Sequence, residues 1–426
     1  MGKTHITGYE ILYILIGMPW LFLMLFTSRM YTEVKMALLG VLIVFSVIAI
    51  VQKRLRMNSS HKKFVAIFIT YILLSLVWGI LLGYQYEFIR DFSLIQYYVI
   101  TPICIIIFGT ILGCKKNRLT YLWNLLKYLT LLLVILDVAK LVFVFLGQDP
   151  FFLSFIMLAS ENYTTKLSMR VSNEPALMFL VPIYIYLFFN PDTNKKNHRI
   201  IYGIIIFFSI IYAVLSGRKM LELVIGASFF VSLIYNKGAL NMKKLLSPQI
   251  LILLIIVAPL FLFFLTLAFD KIAATSGIDN ILQLAYETLT SGLSSGASGF
   301  DKRVNNTDAL IEMWMNSPII GNGLNSYAEN SLANSTTKWS YEVVYIAWLA
   351  QTGLIGALLF LIAVVSVYKT LLKKGKMYSN NIYFALIVGF FSFIICGASN
   401  PLVYLVWPWS IILAFCYNKR VNICNV

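Results

Sequence analysis

Residues 341–367 read YEVVYIAWLAQTGLIGALLFLIAVVSV, and this stretch decides the fold class. No charged side chain occurs from Val343 to Val367. A helix that spans a bilayer needs about 20 mostly apolar residues. The stretch therefore predicts a transmembrane helix over 343–367, entered through Glu342.

The rest of the chain has the same character. The 426 residues are 60% hydrophobic and 12% charged, with a mean hydropathy of +0.82. Soluble domains carry about 45–50% apolar and about 25% charged residues, so the composition excludes a soluble enzyme, a disordered protein and a coiled coil. We expect an all-α integral membrane protein with about twelve spans: 8–27, 34–51, 64–83, 94–113, 128–147, 175–190, 200–216, 220–236, 248–268, 343–367, 381–399 and 402–417.

Charge fixes the expected orientation. The net charge of +16 comes from 34 Lys and Arg against 18 Asp and Glu, and most of the basic residues lie in alternate short connections or near the two termini. Basic connections stay in the cytoplasm. We therefore expect both termini to lie in the cytoplasm, and we assign the charge to topology and not to nucleic acid. Most carboxylates lie on the opposite, extracytoplasmic side, which we predict to be the working face.

Two extracytoplasmic connections are long in the predicted single polytopic domain, 1–426. They are 148–174 and the large loop 269–341 between spans 9 and 10, and long loops are usually functional or disordered. In the large loop, SGLSSGASG (291–299) is typical of a flexible linker.

The large loop is also predicted to contain a short helix, DALIEMWMN, over 308–316. Asn306 or Thr307 is expected to cap its start, and Pro318 to end it. We expect Leu310 and Trp314 to face the membrane surface.

The side chains available on the working face limit its chemistry. All three His and all five Cys fall in predicted spans or on the cytoplasmic side, and no metal-binding or nucleotide-binding motif occurs. Three arginines, Arg170, Arg218 and Arg303, lie extracytoplasmically, against the positive-inside bias. They fit either helix-end anchors or a cationic site for phosphate, which arginine binds bidentately.

Several motifs together resemble those of bacterial O-antigen ligases and repeat-unit polymerases. RVNNTDALIEMWMNSPIIGNGLNSY (303–327), followed by YEVVYIAWLAQTGLIGALLFL (341–361), is similar to the C-terminal signature of that family. LSGRKMLELVIGA (215–227) resembles its S-x-S-R turn, with Gly217 in place of the second Ser. RVSNEPALMFL (170–180) resembles its Arg and Glu/Asn-Pro segment.

One departure favours a polymerase over a ligase. Ligases of the family usually carry a His about eleven positions before the first Gly of G-L-I-G, whereas this chain has Glu342 there and Val343 in place of the usual Asn. The resemblance implies a C-type glycosyltransferase fold. The implied reaction is metal-free and cofactor-free transfer of glycan from an undecaprenyl-diphosphate donor to a sugar hydroxyl of an acceptor repeat unit. The implied partners are the lipid bilayer, a chain-length regulator and a flippase, without nucleic acid.

The resemblance also implies roles for individual residues. Glu342 is expected to be the general base, and we expect it to be partly buried. Arg218, Arg303 and Arg170 are expected to bind the diphosphate. We expect the sugar or the acceptor to be bound by Tyr341, Tyr345, Glu174 and Asn325.

Two alternatives remain open at the level of sequence. A ligase would transfer the glycan to a lipid or protein acceptor. A polysaccharide flippase or ion-coupled transporter would place ionisable residues near the midplane, where this chain has only Asp137, Lys140 and Glu222.

Overall fold

The computed structural model describes 8–26, 32–51, 59–83, 92–113, 116–145, 148, 151–154, 156, 174–190, 196–216, 219–235, 298–331, 338–378, 380–398 and 404–417. This part of the chain is helical and contains no strand. In chain order the α-helices are α1 Gly8–Phe26, α2 Thr32–Val51, α3 Ser59–Val77, α4 Phe92–Ile95, α5 Thr101–Gly113, α6 Lys116–Phe145, α7 Glu174–Phe189, α8 Lys196–Ser216, α9 Lys219–Tyr235, α10 Ser298–Asn316, α11 Val344–Tyr378, α12 Asn381–Gly397 and α13 Val406–Tyr417.

Each predicted span within the described residues coincides with a helix, which confirms the all-helical fold. The span at 248–268 and most of both long loops lie outside the described residues, and the count of twelve spans stays a prediction. Two helices extend well beyond the bounds of their predicted spans. Helix α6 begins at Lys116, well before 128, and α11 runs on to Tyr378 through a basic segment that we had expected to be a connection. Lys and Arg are good helix formers, so a basic segment can extend a helix beyond its apolar run.

In the part of the chain that the structure describes, two helical segments, Lys62–Leu82 and Val344–Tyr378, are long and apolar enough to cross a membrane. Several other apolar helices are shorter, among them α7, α12 and α13.

The chain divides into two compact units, Met1–Leu129 with Gly299–Val426, and Thr130–Ser298. In the first unit, α13 packs along α5, and α11 packs against α12, α3 and α13. In the second unit, α7, α8 and α9 pack against one another. Helix α7 is buried along nearly its whole length. Such all-round burial marks a helix that is central to its unit.

Helix α10 differs from its prediction in its start and in its contacts. It begins at Ser298 and not at 308, so Asn306 and Thr307 lie inside the helix and not at its start. Asn306 is buried. Leu310 does not face a membrane surface, because it is fully buried against Tyr341 and Ala350. The predicted stop at Pro318 is confirmed, since the helix ends at Asn316.

Helix α11 is broken where the sequence predicted a continuous span. Gly353 has φ +62° and ψ −165°, which is far from helical backbone. This region of φ and ψ is almost restricted to glycine. A backbone break inside an apolar helix needs partners for its freed N–H and C=O groups.

Candidate functional site

The glycine loop, which we define as Pro318–Leu324, docks its backbone into the break in α11. In an unbroken helix, Leu354 N–H would donate to Ala350 O and Ile355 N–H to Gln351 O. The loop takes up all four of these groups: Leu354 N donates to Pro318 O (3.0 Å), Ile355 N to Ile319 O (3.2 Å), Asn322 N to Ala350 O (3.0 Å) and Gly323 N to Gln351 O (2.9 Å). The P-I-I-G-N-G and T-G-L-I-G motifs are therefore two halves of one exchange of hydrogen bonds.

The close approach of the two backbones explains why both halves contain glycine. Gly321 has φ +83° and Gly353 has φ +62°. A Cβ on Gly353 would lie 2.3 Å from Ile319 O and 2.6 Å from Gly321 N, and a Cβ on Gly321 would lie 2.4 Å from Gln351 O. The atoms in the way are backbone atoms, so no rotamer change would relieve the clash.

On its other side the glycine loop meets the end of α3. The helix continues as a π-helical turn, Trp78–Leu82, whose buried Trp78 donates from Nε1 to Ile320 O (2.7 Å). A Cβ on Gly83 would lie 2.2 Å from Leu324 O. Single π-turns occur often at functional sites. The loop is thus held between α3 and α11.

Helix α10 is tied to the same loop by two side chains. Asn322 donates from Nδ2 to Met313 O (2.7 Å) and to Ala350 O (3.0 Å). Trp314 donates from Nε1 to Pro318 O (3.0 Å). Asn322 thus satisfies the carbonyl of Met313 near the C-terminal end of α10, where the last carbonyls lack partners within the helix. Because the same amide also bonds Ala350 O, it fixes α10 relative to α11.

Gln351, which the sequence analysis missed, lies at the centre of this assembly. It is buried, with its Nε2 donating to Ser326 O (3.1 Å) and Trp339 O (3.3 Å). Its Oε1 accepts from Tyr98 Oη (3.4 Å), and that hydroxyl also pairs with Tyr404 Oη (3.0 Å). The amide therefore holds together the two ends of the segment that leads to Glu342. A polar side chain within an apolar run was the available signal, since such a group needs partners.

We expect Gln351→Leu to loosen both ends of that segment. The substitution keeps the size of the side chain and removes both donors, so the buried carbonyls of Ser326 and Trp339 lose their partner. Leaving such a group unpaired costs about 1–3 kcal/mol. Hydrogen exchange over 323–331 and 338–341 should become faster by at least about fivefold, which corresponds to the lower end of that range.

Thr352→Val is the matched control for this measurement. Thr352 is the next residue and is also buried, but its hydroxyl donates only within the helix, to Trp348 O (2.7 Å). The control should leave exchange over 323–341 unchanged. Equal exchange in Gln351→Leu and the unmodified protein would show that the amide does not hold the segment.

Tyr341 has a structural role. It is buried, and its hydroxyl accepts from Ala328 N (3.0 Å) and pairs with Ser331 Oγ (3.2 Å). Those bonds shape the segment before α11. The predicted sugar contact of Tyr341 stays a prediction.

The other predicted site residues of this unit differ in exposure. Glu342, two residues before α11, is exposed, so the partial burial that we expected is wrong. Tyr345 is half-buried, and its hydroxyl donates to Ile394 O of α12 (2.5 Å). Asn325 is half-buried with φ +72°, which Asn tolerates better than most residues. The role of Glu342 as general base stays a prediction, and so does the binding of sugar or acceptor by Tyr345 and Asn325.

The predicted diphosphate site is described only in part. Arg303 lies within α10. Gly217 and Arg218 are the two residues between the end of α8 at Ser216 and the start of α9 at Lys219. Arg218 and Arg170 lie outside the described residues. The convergence of the three arginines stays a prediction.

Glu174 begins α7 in the second unit and is 2% exposed. A carboxylate at a helix N-terminus can simply complement the helix dipole from the solvated surface. The burial of Glu174 argues against this role. The assignment of Glu174 to the sugar or acceptor site stays a prediction.

An aromatic cleft lies beside the glycine loop in the first unit. It encloses about 60 Å³ and is lined mainly by apolar side chains. Tyr71, Tyr97, Trp348, Tyr404 and Trp409 form part of its wall. They come from separate stretches of the chain, so no local pattern indicates the cleft.

Comparison with known proteins gives a match over the central part of the chain. Residues 203–361 match the family model Wzy_C, described as O-antigen ligase. The matched range includes most of α8, all of α9 and the complete pairing of the glycine loop with α11. No curated protein matches the chain.

Proposed function

Because residues 203–361 match the family model of O-antigen ligases, we propose that the protein is a glycosyltransferase of surface polysaccharide assembly in a bacterial inner membrane. Its specific activity is the polymerisation of lipid-linked repeat units of O-antigen, capsule or exopolysaccharide. The donor is an undecaprenyl-diphosphate glycan and the acceptor a sugar hydroxyl of another unit. The protein acts on the extracytoplasmic face with both termini in the cytoplasm, beside a flippase and a chain-length regulator.

The proposed reaction needs no metal or cofactor. The acceptor oxygen attacks the anomeric carbon of the donor, and a new carbon–oxygen bond forms as the bond to the diphosphate breaks. Glu342 takes the proton of the acceptor hydroxyl. Undecaprenyl diphosphate leaves with its charge held by Arg218, Arg303 and Arg170, and preorganised cations of this kind lower the barrier most where charge develops.

The observation that carries this proposal is the pairing of the glycine loop with the broken helix α11. The pairing joins the two family motifs and holds the α11 entrance, next to Glu342, through two further hydrogen bonds of Gln351. A general base must be fixed within reach of the proton that it removes. The hydrogen bonds of Gln351 to Ser326 O and Trp339 O hold the segment that leads to Glu342 and support that fixation.

A ligase is the second candidate, because the matching family is described as O-antigen ligase. In that reaction the acceptor is a lipid or protein. The presence of Glu342 where ligases usually carry a His favours the polymerase.

Deletion of the gene, followed by electrophoresis of surface glycan, separates the candidates. A polymerase deletion should leave glycan of a single unit, whereas a ligase deletion should leave long polymer on the lipid carrier. Accumulation of single units on the cytoplasmic side would contradict both enzyme functions and support a flippase.

Complementation of the deletion strain with Arg218→Lys tests the diphosphate site in the same strain. Lysine keeps the charge but loses the bidentate geometry of the guanidinium, so the polymer should decrease sharply at normal protein level. Arg199→Lys, an exposed position on α8, is the control and should restore the full ladder. A full ladder with Arg218→Lys would remove this residue from the site.

A further inference from the structure

Helix α10 has three distinct faces. One is buried in the protein and contains Asn306, Ala309, Leu310 and Met313. The second is exposed and polar, with Asn305, Asp308, Glu312 and Asn316. The third is exposed and apolar, and its members are Val304, Ile311 and Met315.

The spacing of the apolar residues places them on one line. Positions 304, 311 and 315 differ by seven and four residues, which brings them to one side of a helix with 3.6 residues per turn. Met315 is 63% exposed, and the exposed Ile319 and Ile320 follow it in the glycine loop. We call these five residues the apolar stripe.

The apolar stripe continues directly into the exposed apolar side of α11. That side contains Leu354, Ile355, Leu358, Leu361, Ile362 and Val365 at helical spacing. Its first two residues donate their N–H groups to Pro318 O and Ile319 O, so the stripe and the exposed side of α11 meet at the glycine loop. Helix α11 is itself long and apolar enough to cross a membrane.

Helix length places this junction below the membrane surface. The distance along α11 from Leu354 to Lys369, the first basic residue, is about 22 Å at about 1.5 Å per residue. A hydrocarbon core is about 30 Å thick. With Lys369 at one boundary, the glycine loop lies roughly 8 Å inside the other boundary.

Backbone at that depth must have its polar groups paired. The four hydrogen bonds between the glycine loop and α11 provide this pairing. Trp314, which flanks the stripe and bonds Pro318 O, is a residue type that anchors at membrane interfaces.

We propose that the apolar stripe is embedded in the hydrocarbon of the extracytoplasmic leaflet, with the polar face of α10 in water. The helix that carries Arg303 is then seated at the membrane surface, at the level where a lipid-linked diphosphate presents its charge. The inference rests on the membrane location proposed above and is independent of the glycan chemistry.

Spin labels on single cysteines test the proposal in vesicles of phosphatidylethanolamine and phosphatidylglycerol. Cys114 and Cys424 are replaced by Ser, and the remaining Cys104, Cys396 and Cys416 are buried. The background without an added cysteine measures any labelling of these three thiols. Labels are placed at Met315→Cys and Ile319→Cys on the stripe, at Asn305→Cys and Glu312→Cys on the polar face, and at Leu358→Cys on α11.

Collision rates with oxygen, which concentrates in lipid, and with a water-soluble nickel chelate report the surroundings of each label. The oxygen-to-nickel ratio should be several-fold higher at 315 and 319 than at 305 and 312, and highest at 358. If the oxygen-to-nickel ratio at 315 equals that at 312 while the label at 358 is in lipid, the proposal for the stripe is wrong and the membrane location stands. A label at 358 in water would overturn the membrane location as well. Protection of 315 from both reagents would show a protein partner on the stripe, such as a second copy, and would also overturn the proposal.

Discussion

Gly353→Ala should destabilise the protein by at least about 4 kcal/mol and abolish glycan assembly. The positive φ of Gly353 costs about 1–3 kcal/mol for a residue with a Cβ. The new Cβ would also lie 2.3 Å from Ile319 O, so the glycine loop must leave the break. The backbone groups released from the pairing then stay unpaired, and each buried group costs about 1–3 kcal/mol. Thermal unfolding in detergent and the glycan ladder of the complemented deletion strain measure both effects.

Gly226→Ala is the matched control for this substitution. Gly226 lies inside α9, also within the matched range, and a Cβ there would meet no atom within 4 Å. Alanine favours a helix by about 1 kcal/mol over glycine, so this variant should melt at the same or a slightly higher temperature. Gly321→Ala should reproduce the Gly353→Ala defect from the other side of the contact. Normal melting of Gly353→Ala or of Gly321→Ala would contradict the pairing of the glycine loop with α11.

Glu342→Gln should lower the rate of polymer formation by at least about a hundredfold, because general bases contribute about 10²–10⁴ to rate. Glutamine keeps the shape of the side chain but cannot accept the proton of the acceptor hydroxyl. Since Glu342 is exposed and contributes nothing to the buried core, the variant should fold and bind the lipid-linked donor normally. The measurement compares donor binding with polymer length and amount in purified protein.

The control for Glu342 is Glu329→Gln, which neutralises another exposed carboxylate of the same segment. It should polymerise normally. A chain with Glu342→Gln that polymerises at the normal rate would leave Glu342 as a charge near the α11 N-terminus, where the helix dipole favours it. A parallel loss of donor binding would indicate a role in binding and not in proton transfer.

Within the described residues, the sequence determined the helices and their approximate positions. Long apolar runs form helices in a bilayer because their backbone groups have no other partner there. The motif order also indicated a resemblance to O-antigen ligases, and the family model of these proteins matches residues 203–361. Short motifs such as P-I-I-G-N-G can be recognised without any knowledge of contacts. Helix ends were predicted less well, because basic residues continue α11 past its apolar run.

The tertiary structure alone decided how the motifs act on each other. Gly353 breaks a run that looks continuous, and the break is stable only because a loop about thirty residues earlier supplies its partners. Apolar character also does not distinguish two environments: Leu310 is buried in protein, whereas its neighbour Ile311 is exposed on the apolar stripe. Lipid and the protein interior both exclude water. The hydropathy of a leucine or an isoleucine therefore does not show whether its side chain faces lipid or protein. Only the packing of α10 against α11 determines which side chain faces which environment.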